Sequence, residues 1–473
     1  MLLRRTKIVA TLGPASASPE TVRALLEAGM DVGRINCSHG DPEQHRKTIQ
    51  ALRQASAETG KPLAILLDLS GPKLRIGEIP QGELVLEQGR EVRLSLQAAS
   101  AVAGNLPIPS CPWLPREVKA GERILLDDGA IQLLVKQAAA DEVICEVLVG
   151  GPISSHKGIN LPDTALHELE IPTEKDRADL AFGLGEAVDY VAQSFVRTAR
   201  EVRAVNEILR QAAAPARLIA KIEKREALDN IQAILEEADG VMVARGDLGV
   251  ETDLETVALK QKEIISLANQ RGKLVITATQ MLESMIEHPT PTRAEVSDVT
   301  NAILDGTDAL MLSGETAVGK YPVEAVRVMA SIAAKTDAVF PSERWLRRDA
   351  LSETSISAAV AHAVCLLARD LSAAAILTAT ESGRTALLVA RHRPAMPILA
   401  MSANQATVRQ LALAWGVQPV WLDSLSTTDE LFEKAKQTAL RSGLVRAGDR
   451  VVITAGVPVR QPGATNLIKT EVL

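Results

Sequence analysis

Four charged side chains close two apolar runs in the middle of the chain. Leu218-Ile219-Ala220 runs into Lys221-Ile222-Glu223, and Gly240-Val241-Met242-Val243-Ala244 runs into Arg245-Gly246-Asp247. Short apolar runs that stop abruptly in charge read as buried strands. On a strand, residues i and i+2 share a face, so Lys221 and Glu223 point the same way. Buried charge is costly unless something pairs it. One such strand reads as a structural Lys–Glu ion pair. Two of them, carrying an ammonium and two carboxylates, point to a place where a metal and an anion converge. Glu223 and Asp247 offer hard oxygen ligands suited to Mg2+, which keeps several positions for waters and substrate oxygens; Mn2+ accepts the same ligands.

Other strand ends extend the pattern. An early strand delivers Arg34, Asn36, Ser38 and His39, and the next delivers Asp68, then Lys73 and Arg75. Later ones end in Thr277, Thr279-Gln280 and Ser313-Gly314-Glu315. Singly, each has an ordinary reading: Arg34 or Asn36 as a solvated loop residue, Ser38 or Thr279 as a helix cap, His39 before Gly40 as a turn. Together they supply cations with fork geometry for an anion. Gly246 adds main-chain N–H groups that can approach a carboxylate or phosphate. One metal, several cations and no nucleophilic Cys or Ser–His pairing favour phosphoryl transfer or enolate chemistry over acyl transfer.

The elements that must position these residues alternate. Strand Lys7–Leu12 is followed by Gly13-Pro14 and a helix begun by Ser18-Pro19-Glu20. Strand Val32–Ile35, helix Pro42–Glu58 and strand Leu63–Leu67 follow, a parallel α/β pattern. After Gly71 the texture becomes short strand-like runs broken by Gly, Pro and Asp-Gly, as in Asp127-Asp128-Gly129, which predicts an all-β insert. Alternation then resumes, with strands at Tyr190–Gln193, Leu218–Glu223, Val241–Ala244, Leu274–Thr277 and Ala309–Leu312. Eight strands each followed by a helix predict a closed (β/α)8 barrel with functional groups at the C-terminal strand ends. A further α/β unit of open-sheet type follows Phe340-Pro341. The expected domains are 1–70 with 159–340 (barrel), 71–158 (small β-barrel lid) and 341–473 (regulatory α/β domain).

The 473 residues allow about three domains. A formal net charge of −7 and an aromatic share of 2% give neither the basic stripe nor the stacking platforms of a nucleic-acid binder. No window approaches a membrane span and the N-terminal residues carry no signal-like run. Cys37, Cys111, Cys145 and Cys365 are scattered without metal-type spacing and read as small buried hydrophobes in a reducing compartment. The expectation is a cytoplasmic protein that binds neither nucleic acid nor membrane.

Six stretches in collinear order resemble pyruvate kinase: Lys7 to Pro14, Arg34 to Gly40, Asp68 to Arg75, Ala244 to Gly249, Thr277 to Met285 and Leu312 to Thr316. The resemblance spans essentially the whole chain, insert and C-terminal unit included. It implies transfer of the phosphoryl group of phosphoenolpyruvate to ADP, giving pyruvate and ATP. Glu223 and Asp247 would hold Mg2+, and Lys221 would stabilise the moving phosphoryl group. Arg34, Thr279 and the main chain of Gly246 and Asp247 would hold the substrate, with Thr279 near proton delivery to the enolate. Asn36, His39, Arg75 and Lys157 would contact nucleotide phosphates, and Arg75 joins Lys221, Thr279 and Arg34 as a catalytic candidate. The insert would be a lid carrying Lys157 and Asp127 or Asp128, closing to exclude water. The family is usually a homotetramer.

Two departures sharpen the expectation. Many members bind K+ through Asn and Ser oxygens, an Asp and a Thr that follows it, and carry a Glu five residues past that Asp. Here Asn36, Ser38 and Asp68 remain, Leu69 offers no side-chain oxygen, and Lys73 stands in place of the Glu. An internal ammonium supplies the missing charge and repels another cation, so K+ is expected to be dispensable and its site vestigial. The loop Thr380-Glu381-Ser382-Gly383-Arg384-Thr385 matches the family's effector loop, with Thr380, Ser382, Gly383, Arg384 and Thr385 as phosphate contacts. Members activated by a bisphosphorylated sugar often have Lys where Glu381 stands, so a monophosphate effector is expected here, a sugar monophosphate or AMP. The rival readings are a barrel lyase or aldolase acting on an enolate, and a catalytically idle metabolite binder.

Overall fold

A computed structural model describes residues 4–72, 74–98, 100–102, 104–348, 355–423, 427–457 and 465–473. Lys73 therefore lies outside the described residues. Eight parallel strands form a closed barrel: β1 (Lys7–Leu12), β2 (Val32–Asn36), β3 (Ala64–Asp68), β4 (Tyr190–Gln193), β5 (Arg217–Ile222), β6 (Gly240–Ala244), β7 (Leu274–Ala278) and β8 (Ala309–Leu312). Each strand pairs with its predecessor, and β8 returns to β1 with Lys7 opposite Ala309.

These strands are apolar on both faces, as parallel strands covered by helices must be. The pleat still sorts them. Ile8, Ala10, Ile65, Leu67, Val241 and Val243 share a core with the helix residues Leu25, Leu52 and Val205. Their neighbours Val9, Leu66, Tyr190, Ile219, Met242 and Met311 belong to a second core, which fills the barrel and continues into the C-terminal domain. The enclosing helices start where the sequence predicts: Ser18 accepts from the Thr21 N–H ahead of Pro19–Ala28, and Asp41 caps Pro42–Thr59 through the Glu43 and Gln44 N–H groups.

The insert, expected as a small β-barrel, consists of a six-stranded sheet and a separate two-stranded ladder. Ile159–Asn160 edges the sheet beside Arg123–Leu126, then Ile131–Ala138, Glu142–Val149, Glu91–Ser95 and Asn105–Pro107; the ladder pairs Glu83–Leu86 with Gly151–Ser154. Both bury one shared core around Leu94, Leu126 and Leu133. Gly71 marks the way in. Its φ is +63°, and a Cβ there would lie 2.9 Å from the Phe195 ring and 3.0 Å from Ser194 Cβ, so only glycine lets the chain turn this closely past β4.

The C-terminal domain is a five-stranded sheet ordered β11-β10-β9-β12-β13: β9 (Ala375–Ala379), β10 (Ile398–Ser402), β11 (Val417–Trp421), β12 (Arg450–Ala455) and antiparallel edge strand β13 (Leu467–Val472). The sequence reading did not include β13, nor the helix Ser342–Arg348 that follows Pro341. This domain closes the N-terminal end of the barrel. Tyr190 Oη donates to the Gln410 carbonyl at 2.7 Å, and the fully buried Arg393 pairs with Asp308 at 2.7 Å while lying over the Trp415 ring. All four cysteines are free and buried, and burial pushes the Cys145 thiol up to about 12. Among the described residues no helix is long and apolar enough to cross a membrane.

Candidate active site

The sheet ladder between β5 and β6 ends at Ile222 and Val243, and the charged residues lie at or just beyond that rim. Lys221 Nζ stands 2.7 Å from Glu223 Oε1 and 3.3 Å from Asp68 Oδ1, and donates to Ser194 Oγ at 2.6 Å. Asp68 Oδ2 accepts from Arg34 Nε at 2.7 Å, and Arg34 Nη1 donates to Thr11 Oγ1 at 2.9 Å. The other Glu223 oxygen accepts from the Phe195 N–H at 2.8 Å. The ends of β1, β2, β3, β4 and β5 thus converge in one charged network.

Its electrostatics are lopsided. Burial pulls the Lys221 ammonium down, but Asp68, Glu223 and Asp247 together outweigh that and hold it well above the ordinary lysine range. Burial pushes Asp68 up, and Lys221 and Arg34 more than reverse it, leaving its carboxyl below the usual range. Asp247 goes the other way. Burial first, then the Glu223 charge, with Asp128 adding and Lys221 only partly offsetting, raises it to about 7. Three carboxylates, Asp68 and Glu223 buried and Asp247 exposed at the rim, share two cations, and Asp247 carries the excess.

Opposite this network sits Thr279, with φ +70°, a conformation a β-branched residue adopts only under constraint. Arg245 supplies the constraint: Nη2 donates to the Thr279 carbonyl at 2.8 Å while Nη1 pairs with Asp298 at 2.7 Å. The Thr279 hydroxyl accepts from the Gly246 N–H at 2.8 Å and donates to the Ala278 carbonyl at 2.6 Å. A Cβ on Gly246 would lie 3.5 Å from the Thr279 hydroxyl oxygen, filling the hollow between them.

Residues 3–326 match the family model described as pyruvate kinase, barrel domain, and residues 358–470 match pyruvate kinase, alpha/beta domain. The chain belongs to the pyruvate kinase family. The pyruvate kinase of Geobacillus stearothermophilus is 48% identical to it, over 99% of this chain and 80% of its own length. The pyruvate kinase of Clostridium acetobutylicum is 42% identical over the whole of both chains. Pyruvate kinase 2 of Synechocystis is 46% identical over all of this chain and 80% of its own length.

Within this family member, and apart from Leu69 and the effector loop, the predicted site residues fall into three groups. Arg34, Asp68, Lys221, Glu223, Gly246, Asp247 and Thr279 ring the barrel mouth. Asn36 ends β2 and Ser38 and His39 lie on the turn after it, where Asn36 Oδ1 accepts from the Ser38 N–H at 3.0 Å. Arg75 and Lys157 sit at the base of the insert: Arg75 bridges to Gly158 and donates to the His156 carbonyl at 2.5 Å, and Lys157 pairs with Asp127 at 2.8 Å. Leu69 is buried, and its carbonyl accepts from Ser194 Oγ at 2.7 Å. The loop Thr380 to Thr385 lies away from the mouth, at the C-terminal end of β9. Its Ser382 and Arg384 are exposed, Gly383 has φ +81°, and the Thr385 hydroxyl is shared with Thr465 at 2.7 Å. Arg217, the first residue of β5, donates to the Ser382 carbonyl at 2.5 Å.

Thr11, Ser194 and Phe195 were not read as site residues. Ser194 follows strand four as a buried hydroxyl after Gln193, and a search of strand ends for charge passes over it. Among the described residues no group of three or more His, Cys, Asp or Glu is placed to enclose a metal ion. Glu223, buried beside Lys221, and Asp247, exposed at the rim, supply hard carboxylate oxygens that fit Mg2+, which keeps waters and substrate oxygens among its ligands.

Ser194→Ala removes the acceptor for the Lys221 ammonium and the donor to the Leu69 carbonyl. Urea unfolding should show a loss of about 1.5–3 kcal/mol, the range for hydrogen bonds to charged groups. A change below about 0.5 kcal/mol would show that Ser194 does not hold the lysine.

Proposed function

We propose that the barrel mouth transfers the phosphoryl group of phosphoenolpyruvate to ADP, giving pyruvate and ATP, the last step of glycolysis. Pyruvate kinase activity follows from the family and from relatives that match the full chain. The observation that best supports the residue roles is the Lys221 ammonium, held charged between Glu223 and Asp68 at the barrel mouth.

Glu223 and Asp247 would hold Mg2+, or Mn2+ in its place, which would supply positive charge to the anionic substrate. Lys221 meets the charge on the moving phosphoryl group, and its position is set before reaction, so little reorganisation is required. Arg34 has Nε and Nη1 committed to Asp68 and Thr11, so Nη2 is the arm directed to substrate. The Gly246 and Asp247 N–H groups receive the substrate carboxylate, which takes over from Thr279 as the partner of Gly246. The hydroxyl so released lies on the side from which the enolate is protonated. Asn36, His39, Arg75 and Lys157 contact the nucleotide phosphates. Insert closure brings Lys157 and Asp128 over the mouth and excludes water, which would otherwise take the phosphoryl group.

Independence from K+ is the reading we favour for the pocket beside Asp68. Both Asp68 oxygens are committed to Arg34 and Lys221, Leu69 has no side-chain oxygen, and its carbonyl is engaged by Ser194. The loop Thr380 to Thr385 is our candidate for a monophosphate effector, a sugar monophosphate or AMP. Exposed Ser382 and Arg384 support it, as does Glu381, whose charge opposes a second phosphate. Regulation of this kind fits a homotetramer in the cytoplasm.

A pyruvate-release assay with phosphoenolpyruvate and ADP tests these roles together. Lys221→Met should lower kcat by about 10²–10³-fold, the scale of a lost transition-state contact, while substrate still binds; a barrel lyase would release pyruvate without ADP. In Na+-only buffer turnover should persist, and strict restoration by K+ would overturn the vestigial site. Arg384→Ala should abolish activation by sugar monophosphates or AMP, and unchanged activation by all of them would remove the effector loop from consideration.

A further inference from the structure

Behind the two candidate metal carboxylates lies a second buried ion pair that phosphoryl transfer does not use. Lys224 Nζ is 2.7 Å from Glu251 Oε1, with each side chain 3% exposed. Asn160 Nδ2 donates to the same oxygen at 2.9 Å, and the Lys224 ammonium lies over the Phe195 ring. Each member stands one step from the site. Lys224 follows Glu223 in sequence. Glu251 comes one helical turn after Asp247 in the helix Arg245–Glu251, hence on the same face. Phe195 gives its N–H to Glu223. Asn160 belongs to the strand by which the insert returns to the barrel, paired with Arg123–Leu126, the strand that leads into Asp127 and Asp128.

Glu223 and Asp247 both lie past the last ladder pair of β5 and β6, Ile222 with Val243. The sheet therefore does not fix their separation. A buried ion pair can, because sliding it apart would leave charge desolvated and unpaired, whereas an apolar contact slides at little cost. We propose that Lys224 and Glu251 are positioning residues that set the spacing of the Glu223 and Asp247 carboxylates. Through Asn160 they tie the insert's return strand to the same spacing. This rests on the reading that those two carboxylates hold the divalent ion.

A purely structural pair predicts something different. Replacing a buried ion pair by apolar side chains of similar size usually preserves stability, so Lys224→Met with Glu251→Met separates folding from positioning. Mn2+ binding to the full-length protein, followed by electron paramagnetic resonance of the free ion, gives a readout independent of turnover. The double variant should melt near the parent and bind Mn2+ about tenfold more weakly, the usual scale for groups that orient ligands. Affinity within twofold of the parent would overturn the proposal, provided that Glu223→Gln, measured alongside, weakens binding. If Glu223→Gln leaves Mn2+ affinity unchanged, the metal assignment itself fails and takes the proposal with it. Should the double variant not fold, Glu251→Gln keeps the shape and the Asn160 contact, and the same criterion applies. For the insert, Asn160→Leu should speed exchange of the Ile159 amide, bonded to the Leu74 carbonyl, by about tenfold, the scale of one hydrogen bond. An unchanged rate would remove the insert from the device.

Discussion

Everything at the barrel mouth depends on one ammonium held between two buried carboxylates. Lys221 meets Glu223 at 2.7 Å and Asp68 at 3.3 Å, and neither carboxylate could remain charged at that depth alone. Asp68 then fixes Arg34, which reaches Thr11, and Glu223 takes the Phe195 N–H. Barrel closure is what makes this network possible. An open sheet would leave β1 and β8 as separated edges; here β1 lies between β2 and β8, and strands distant in sequence share one rim.

The two ends of the barrel handle charge differently. At the N-terminal end Arg393 answers Asp308, Arg53 and Arg409 answer Asp189, and the buried Lys7, lowered to about 8 by burial, donates to the Val417 carbonyl. The C-terminal domain seals that end, and its core is continuous with the barrel interior. At the mouth the balance is left open, with Asp247 raised to about 7 by burial and by Glu223. Rigidity at one end and unsatisfied charge at the other is what a site for a cation and an anionic substrate requires.

Much of this was legible in the sequence because burial and charge leave separate marks. Apolar runs located all eight barrel strands to within a residue or two, and abrupt charge at their ends located Lys221, Glu223 and Asp247. Ser18 announced its helix. Pairing was less legible. The runs of the insert did not reveal that its strands divide into a sheet and a ladder, since short strands carry no record of their partners. The alternating Leu467–Val472 gave an edge strand that was passed over, being short and half polar. Asp68 was read as part of a cation site, and only the fold shows it bridging Arg34 and Lys221. Ser194 is neutral and buried, so nothing in its local sequence distinguishes it from a core hydroxyl, and Lys73 lies outside the described residues.

The central claim is that excess negative charge at Asp247 and Glu223 is what a divalent ion relieves. Asp247, raised to about 7, holds a proton in part of the metal-free protein near neutral pH, and a bound cation favours the carboxylate. Calorimetric titration with Mg2+ in buffers of different ionisation enthalpy reads the proton count directly. The account predicts proton release on binding at pH 7 that declines as pH rises through the Asp247 range, and that is lost in Asp247→Asn. Binding with no proton release at pH 7, or release that survives in Asp247→Asn, would contradict it.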